Sequence, residues 1–178
     1  MLAQPNEITN LNVFKEVLDR EGKDPYRNSA FLPIKQLSSK AKGAICETIV
    51  EEYFSKKNYK VTKASNSDHD RIIDGKKVEI KSSFMWINKK TGQGTHFRWQ
   101  QIRTNQDYDI VCFVAFYPDR VEFWGATKEQ SRKFLEVQDT DGNWIYNQHG
   151  GKKVNSGTFC IDGFPEDFPW FTNFEELL

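Results

Sequence analysis

Asp70, Glu79 and Lys81 stand in the stretch DRIIDGKKVEIKSSF, residues 70 to 84, with the spacing of a small metal-dependent hydrolytic centre. On a strand, successive side chains alternate between faces, so Glu79, Lys81 and Ser83 point one way while Val78 and Ile80 point the other. The Asp74-Gly75 pair has the chemistry of a tight hairpin turn. A hairpin closed there runs antiparallel and brings Asp70, at the start of the first strand, toward Glu79 and Lys81 on the second. Two carboxylates so placed repel one another and attract a hard cation. Mg²⁺ suits them because it takes oxygen ligands and keeps several waters beside one or two carboxylates and a phosphate. Such an ion polarises a phosphodiester and lowers the pKa of a bound water, and a neighbouring ammonium can orient that water or stabilise the attacking hydroxide. An acid and a lysine two apart recur by chance about once per 200 residues, and the plain alternative is a solvated charged hairpin. Context favours the site: the pattern lies on an apolar-backed strand of a hairpin and follows an amphipathic helix that carries another carboxylate.

That helix is predicted from Ser38 or Ser39 to about Lys56. Ile45, Ile49 and Tyr53 form one apolar row at i+4 spacing, and Cys46, Val50 and Phe54 form the next. Glu47 falls at the border of this face, level with Gly43 one turn earlier, where a small residue permits close approach. Glu47 is therefore a candidate metal ligand or a neighbour of the ligands, with a plain surface acid as the alternative. Glu51 and Glu52 are placed further into solvent.

The period then switches to that of strands, over residues 59–65, 70–74 and 76–84. A basic, glycine-containing loop follows, INKKTGQGTH, and then FRWQQIRTNQDYD, which reads as either strand or helix. IVCFVAFY is an uninterrupted apolar run, as a central strand covered on both faces requires, and RVEFWGA is a further strand. Thr127 caps a helix TKEQSRKFLEV. Toward the N-terminus a helix is expected from Thr9 or Asn10 to about Arg20, with a connecting loop over 23–37. The order of elements predicts an α/β fold, a mixed central β-sheet flanked by helices, in a single domain over 1–178. Its core is placed at about 38–137, with an N-terminal helix and loop before it and a peripheral hairpin and tail over 138–178.

The chain has 178 residues, 38% hydrophobic and 28% charged, enough for one substantial core without disulfides. No apolar run is long enough for a membrane span and the first residues lack a signal-peptide pattern, so no membrane association and a cytoplasmic location are expected. Cys46, Cys112 and Cys160 are odd in number and widely spaced; Cys46 and Cys112 lie in apolar patterns and read as core residues. The zero formal charge hides a segregation. Residues 1–34 are −1, residues 35–103 are +8 and residues 104–178 are −7. The basic segment contains the candidate centre, which fits a polyanionic partner met by one surface of the fold.

KGAICETIVEEYF, HDRIIDGKKVEIKSSF and FRWQQIRTNQDYDIVCFVAFYPD together resemble the PD-(D/E)XK nuclease superfamily, and within it the small type II restriction endonucleases. The resemblance covers roughly residues 40–125. It implies a restriction endonuclease-like fold, Mg²⁺-dependent cleavage of double-stranded DNA with Mn²⁺ able to substitute, and often a homodimer. It also implies residue roles: Glu47 as the helix acid, Asp70 as the bridging aspartate, Glu79 as the second metal ligand and Lys81 as the catalytic lysine. A glutamine sits close to the active site in several such nucleases, and Gln101 is the better match here, with Gln100 in reserve. His69 stands where the family often has proline, at a position that varies.

Candidate DNA contacts follow the catalytic strand. Lys89, Lys90, His96, Arg98 and Arg103 can meet the phosphate backbone, and Asn88, Gln93 and Gln100 can reach base edges. Lys152 and Lys153 form a second basic cluster within the acidic third. Trp99, Trp124, Trp144 and Trp170 read as packing residues. No histidine lies at metal-ligand spacing from another histidine or cysteine. The expected function is a Mg²⁺-dependent endodeoxyribonuclease, foremost a restriction enzyme. The alternatives are a repair, junction or phage nuclease of the same fold, or an inactive DNA-binding module.

Overall fold

The computed structural model describes residues 22–104, 106–138, 144–146 and 158–178. The helix expected over 10–20 and the basic pair Lys152 and Lys153 lie outside them.

The architecture is a mixed α/β fold built on a six-stranded sheet. Eleven strands are described: β1 (Val61–Lys63), β2 (Arg71–Ile73), β3 (Lys76–Phe84), β4 (Trp86–Ile87), β5 (Gly94–Arg103), β6 (Ile110–Phe116), β7 (Val121–Thr127), β8 (Glu136–Gln138), β9 (Trp144–Tyr146), β10 (Thr158–Gly163) and β11 (Thr172–Asn173). The main sheet has the order β1-β2-β3-β6-β7-β11, and all its pairings are antiparallel except β3 with β6. The parallel pair requires a long crossover. Residues 85–109 supply it with strands rather than a helix: β4 and β5 form a hairpin that β10 extends into a three-stranded sheet. The ambiguous segment FRWQQIR is thus strand. A mixed sheet is present as expected, but the cover on one of its faces is a small sheet.

Three helices are described, α1 (Leu32–Lys35), α2 (Ser39–Lys56) and α3 (Lys128–Leu135). Ser38 caps α2, its hydroxyl accepting from the Ala41 amide at 3.3 Å. At α3, the Thr127 hydroxyl accepts from the Gln130 amide and the Gln130 side chain accepts from the Thr127 amide, a reciprocal cap.

Two apolar layers follow from the period of two. Val78 and Ile80 of β3 and Ile110, Cys112, Val114 and Phe116 of β6 pack under Cys46, Val50 and Phe54 of α2. Val111, Phe113 and Ala115 face the other way, against Phe97, Trp99, Ile102 and Ile161 of the small sheet. Of the two rows on α2, the one containing Cys46 is buried, whereas Tyr53 of the other is exposed. Cys46 and Cys112 are buried free thiols, as their patterns suggested.

Two segments differ from the sequence expectation. The loop over 23–37 contains a 3-10 turn, Pro25–Asn28, and α1, and it anchors the fold through the buried Tyr26, whose hydroxyl donates to the Phe116 carbonyl and accepts from the Met85 amide. The C-terminal tail is not peripheral. Phe168 and Phe171 complete the layer beneath the small sheet, Phe174 packs beneath α2, and β11 closes the edge of the main sheet. Aromatic residues interspersed with prolines have no regular period, so this burial left no periodic trace in the sequence.

Candidate active site

The hairpin of β2 and β3 turns at Asp74 and Gly75, both with positive φ, 46° and 84°. Asp74 is structural: its carboxylate accepts from the Lys60 amide at 2.7 Å and so ties β1 to the turn. Register pairs Arg71 with Val78, which leaves Asp70 just beyond the last paired residue. Its amide donates to the Val78 carbonyl at 2.9 Å and its Oδ2 accepts from the Ile80 amide at 2.7 Å. Asp70 therefore lies alongside Glu79, held by two backbone bonds.

The register of β3 against β6 sets Glu79 beside Val111 and Lys81 beside Phe113. These side chains face the small-sheet layer, opposite α2. Glu79 is 5% exposed, and the Lys81 ammonium is ion-paired with its Oε1. Burial, with the Asp70 charge adding to it, pushes the Glu79 carboxyl up to about 7 against the pull of Lys81 and Arg103. Burial and Asp70 likewise raise Glu47. The Asp70 charge thus acts on both glutamates, with Lys81 compensating both, Arg71 beside Glu47 and Arg103 acting on Glu79.

Glu47 is engaged by an arginine. Its Oε2 accepts from Arg71 Nη1 at 2.9 Å, Glu51 accepts from Arg71 Nε at 2.9 Å, and Arg71 Nη1 also reaches the Asp70 carbonyl at 2.7 Å. Glu51, expected in solvent, is half-buried in this cluster. Among the described residues no three His, Cys, Asp or Glu side chains converge as a metal-holding group. Glu47 is paired with Arg71 as Glu79 is paired with Lys81. Arg71 itself escaped the sequence reading. Its signal was present, since Glu47 and Glu51 are one turn apart and form an acid pair on one helix face that calls for a cation.

The site opens into a cleft of about 750 Å³, walled by the first half of α2, the end of β3 and the strands β4 and β5. Asp70, Glu47 and Lys81 line it, as do Lys42, Lys89 and Arg98. Gly43 leaves room rather than close contact, since a Cβ there would meet nothing within 4 Å. Gln100 and Gln101 both line the cleft, although neighbours on a strand ordinarily point apart. A bulge between Phe159 and Cys160 of β10 and Gln100 to Ile102 of β5 accounts for this. Gln101 takes the extra position with φ of 60°, so both amides are exposed between the buried Trp99 and Ile102. Sequence reasoning singled out both glutamines but not the bulge that aligns them.

The other expected contacts are distributed unevenly. Lys89, Arg98 and Gln100 are on the cleft wall, and Lys90, Gln93 and Arg103 are exposed outside it. Arg98 is held by a bidentate pair with Asp162. His96 stacks on Trp86 with ring centroids 5.3 Å apart. His69 is buried, with Nδ1 3.0 Å from the Asp107 carbonyl, so it braces the loop before Asp70. Trp99 is buried, and Trp124 and Trp170 pack against the same layer.

Two expected outcomes arise here. Glu79 is raised from 4.5, so the folded protein holds this proton more tightly than the unfolded chain. That contribution is complete below about pH 4.5 and lost as pH rises through about 7. In chelator, unfolding free energy should therefore fall between pH 5 and 8 relative to Glu79→Gln, by up to ~3 kcal/mol. Denaturant titrations at the two pH values measure this. Separately, Gln101→Gly should raise stability by about 0.5–1 kcal/mol, because glycine accepts the left-handed conformation without strain.

The fold and the site define a mixed-sheet α/β protein with an acid, acid, lysine centre in a cleft lined by several cations. No protein-family model matches the chain, and no curated protein matches it. Among solved structures, a bacterial homing endonuclease, I-Ssp6803I, is similar at 20% identity and a TM-score of 0.39, over 67% of this chain and 83% of that one. No described helix is long and apolar enough to cross a membrane.

Proposed function

We propose that this protein is a Mg²⁺-dependent endodeoxyribonuclease that hydrolyses phosphodiester bonds in double-stranded DNA, and within that class a type II restriction enzyme acting as a homodimer on a short palindrome. The observation that carries the reading is the single hairpin that sets Asp70 and Glu79 side by side, with Lys81 between Glu79 and the cleft. Two neighbouring carboxylates, one of them raised by its burial and further by the charge of the other, suit a hard divalent cation that keeps some of its waters. When bound, the cation polarises the phosphodiester and makes water a better nucleophile, with Mn²⁺ an acceptable substitute.

The chain's own groups do the rest. Asp70 and Glu79 hold the charge that the cation needs. The Lys81 ammonium orients the attacking water and stabilises negative charge as it develops. Arg71 fixes Glu47 and the Asp70 backbone. Lys42 and Lys89 neutralise phosphates along the cleft, and the paired amides of Gln100 and Gln101 offer donors and acceptors toward the scissile region. A two-fold dimer would place two such clefts on matching half-sites.

The test is digestion of phage DNA with Mg²⁺, resolved on a gel. Discrete fragments are the outcome expected of a restriction enzyme. A smear, or cutting confined to branched substrates, would replace that assignment with a repair or junction nuclease. Tight binding without cutting under Mg²⁺ or Mn²⁺ would leave a DNA-binding module.

A further inference from the structure

We propose that Trp86, on the wall of the cleft, is a stacking site for one nucleobase that has left the DNA double helix beside the cleavage centre. The inference rests on the endonuclease reading and deepens it, since it specifies the form of DNA that the cleft receives.

Trp86 is the most exposed large hydrophobic side chain among the described residues, at 51%. Trp99, the other tryptophan on this hairpin, is fully buried and donates from its indole to the Val114 carbonyl at 3.2 Å, as an indole with only a packing role does. Trp86 is instead built into a prepared surface. Its ring stacks on His96 directly across the β4 and β5 pairing, with 19° between the planes. The Arg98 guanidinium lies 5.1 Å from the ring centroid and is itself fixed by Asp162. The backbone beneath is equally held: the Met85 amide donates to the Tyr26 hydroxyl, and the Thr95 hydroxyl donates to the Trp86 carbonyl. An indole left in water on such a rigid support loses little freedom when a flat ring settles on it.

The surroundings select the partner. Trp86 lines the same cleft as Asp70 and Lys81, and Lys42, Lys89 and Arg98 line it with them. Aromatic surface interleaved with cations suits a chain that alternates flat rings with phosphates, and base-on-aromatic stacking tolerates any base. Within an intact duplex both faces of a base are covered by its neighbours. A base can reach Trp86 only from an extrahelical, unpaired or frayed position.

The test is equilibrium binding of fluorescein-labelled duplexes of equal length in Mg²⁺, to the Lys81→Ala protein with and without Trp86→Ala or Trp86→Phe. One duplex is fully paired and the other carries a single unpaired base. Stacking predicts that the unpaired base tightens binding, that Trp86→Ala weakens the unpaired-base complex about 5-fold to 100-fold and removes the preference, and that Trp86→Phe keeps most of it. Thermal unfolding of each variant separates loss of stacking from loss of fold. Equal affinity for the two duplexes, unaffected by Trp86→Ala, would overturn the stacking site while leaving the endonuclease reading intact. Failure of every protein to bind either duplex would overturn both.

Discussion

Replacing Lys81 by alanine is expected to slow DNA cleavage by about 10²-fold to 10⁴-fold at saturating Mg²⁺, the range for loss of a positioned proton-handling or charge-stabilising group. The ammonium is the cation in direct contact with the buried Glu79 and the part of that pair that lines the cleft. Its removal leaves Glu79 with less compensation, so the carboxyl is driven higher and takes up a proton near neutral pH rather than remaining as a bare buried charge. Folding at pH 6 should therefore be nearly unaffected, whereas stability at pH 9 should suffer. Lys81→Arg is not expected to rescue cleavage, because a planar guanidinium cannot present the compact charge of an ammonium at the same point. Single-turnover cleavage with excess protein, beside thermal unfolding at the two pH values, measures the catalytic and structural effects separately.

The Asp70→Asn change should slow cleavage by about 10²-fold or more and weaken Mg²⁺ binding, with the fold retained. An asparagine oxygen can still accept from the Ile80 amide, so the local backbone is preserved while the charge is removed. The change has a second readout. Burial raises both Glu79 and Glu47 and the Asp70 charge adds to it, so neutralising Asp70 should lower both carboxyls in part while burial still holds them up. The loss of metal-free stability that accompanies Glu79 ionisation should accordingly move to lower pH in Asp70→Asn. Carbon-detected titration of the glutamate carboxyls reads this shift directly. An Asp70 with a purely structural part would leave cleavage as it is.

The hairpin of β2 and β3 was legible because its signals are local. Alternation placed Glu79 and Lys81 on one face, an Asp-Gly pair fixed the turn, and the turn fixed the position of Asp70. The six-stranded sheet was legible in part for the same reason, since β6 is apolar throughout and is buried on both faces. What stayed hidden depended on distant partners. Glu47 was expected as a metal ligand or a neighbour of the ligands; the guanidinium that pairs with it comes from Arg71, whose reach across to the helix no period reveals. Gln101 entered the reading through a family resemblance, while the bulge that turns it into the cleft is set by a register shift against β10, some 60 residues on. Trp86 carried no signal either. Its type matches the four tryptophans expected to pack, and only the fold distinguishes the indole left in water. The tail failed for the opposite reason: Phe168, Phe171 and Phe174 are core residues presented at irregular spacing.

Supercoiled plasmid gives the most direct measurement of whether Asp70, Glu79 and Lys81 form a metal-dependent centre for cutting DNA. Purified wild-type protein, Asp70→Asn and Lys81→Ala are each incubated with the plasmid in Mg²⁺ and in chelator, and open-circular and linear products are followed over time. The expected result is conversion by the wild type in Mg²⁺ alone, with both variants slower by about two orders of magnitude or more. Conversion that persists in chelator, or that proceeds in both variants at the wild-type rate, would contradict it.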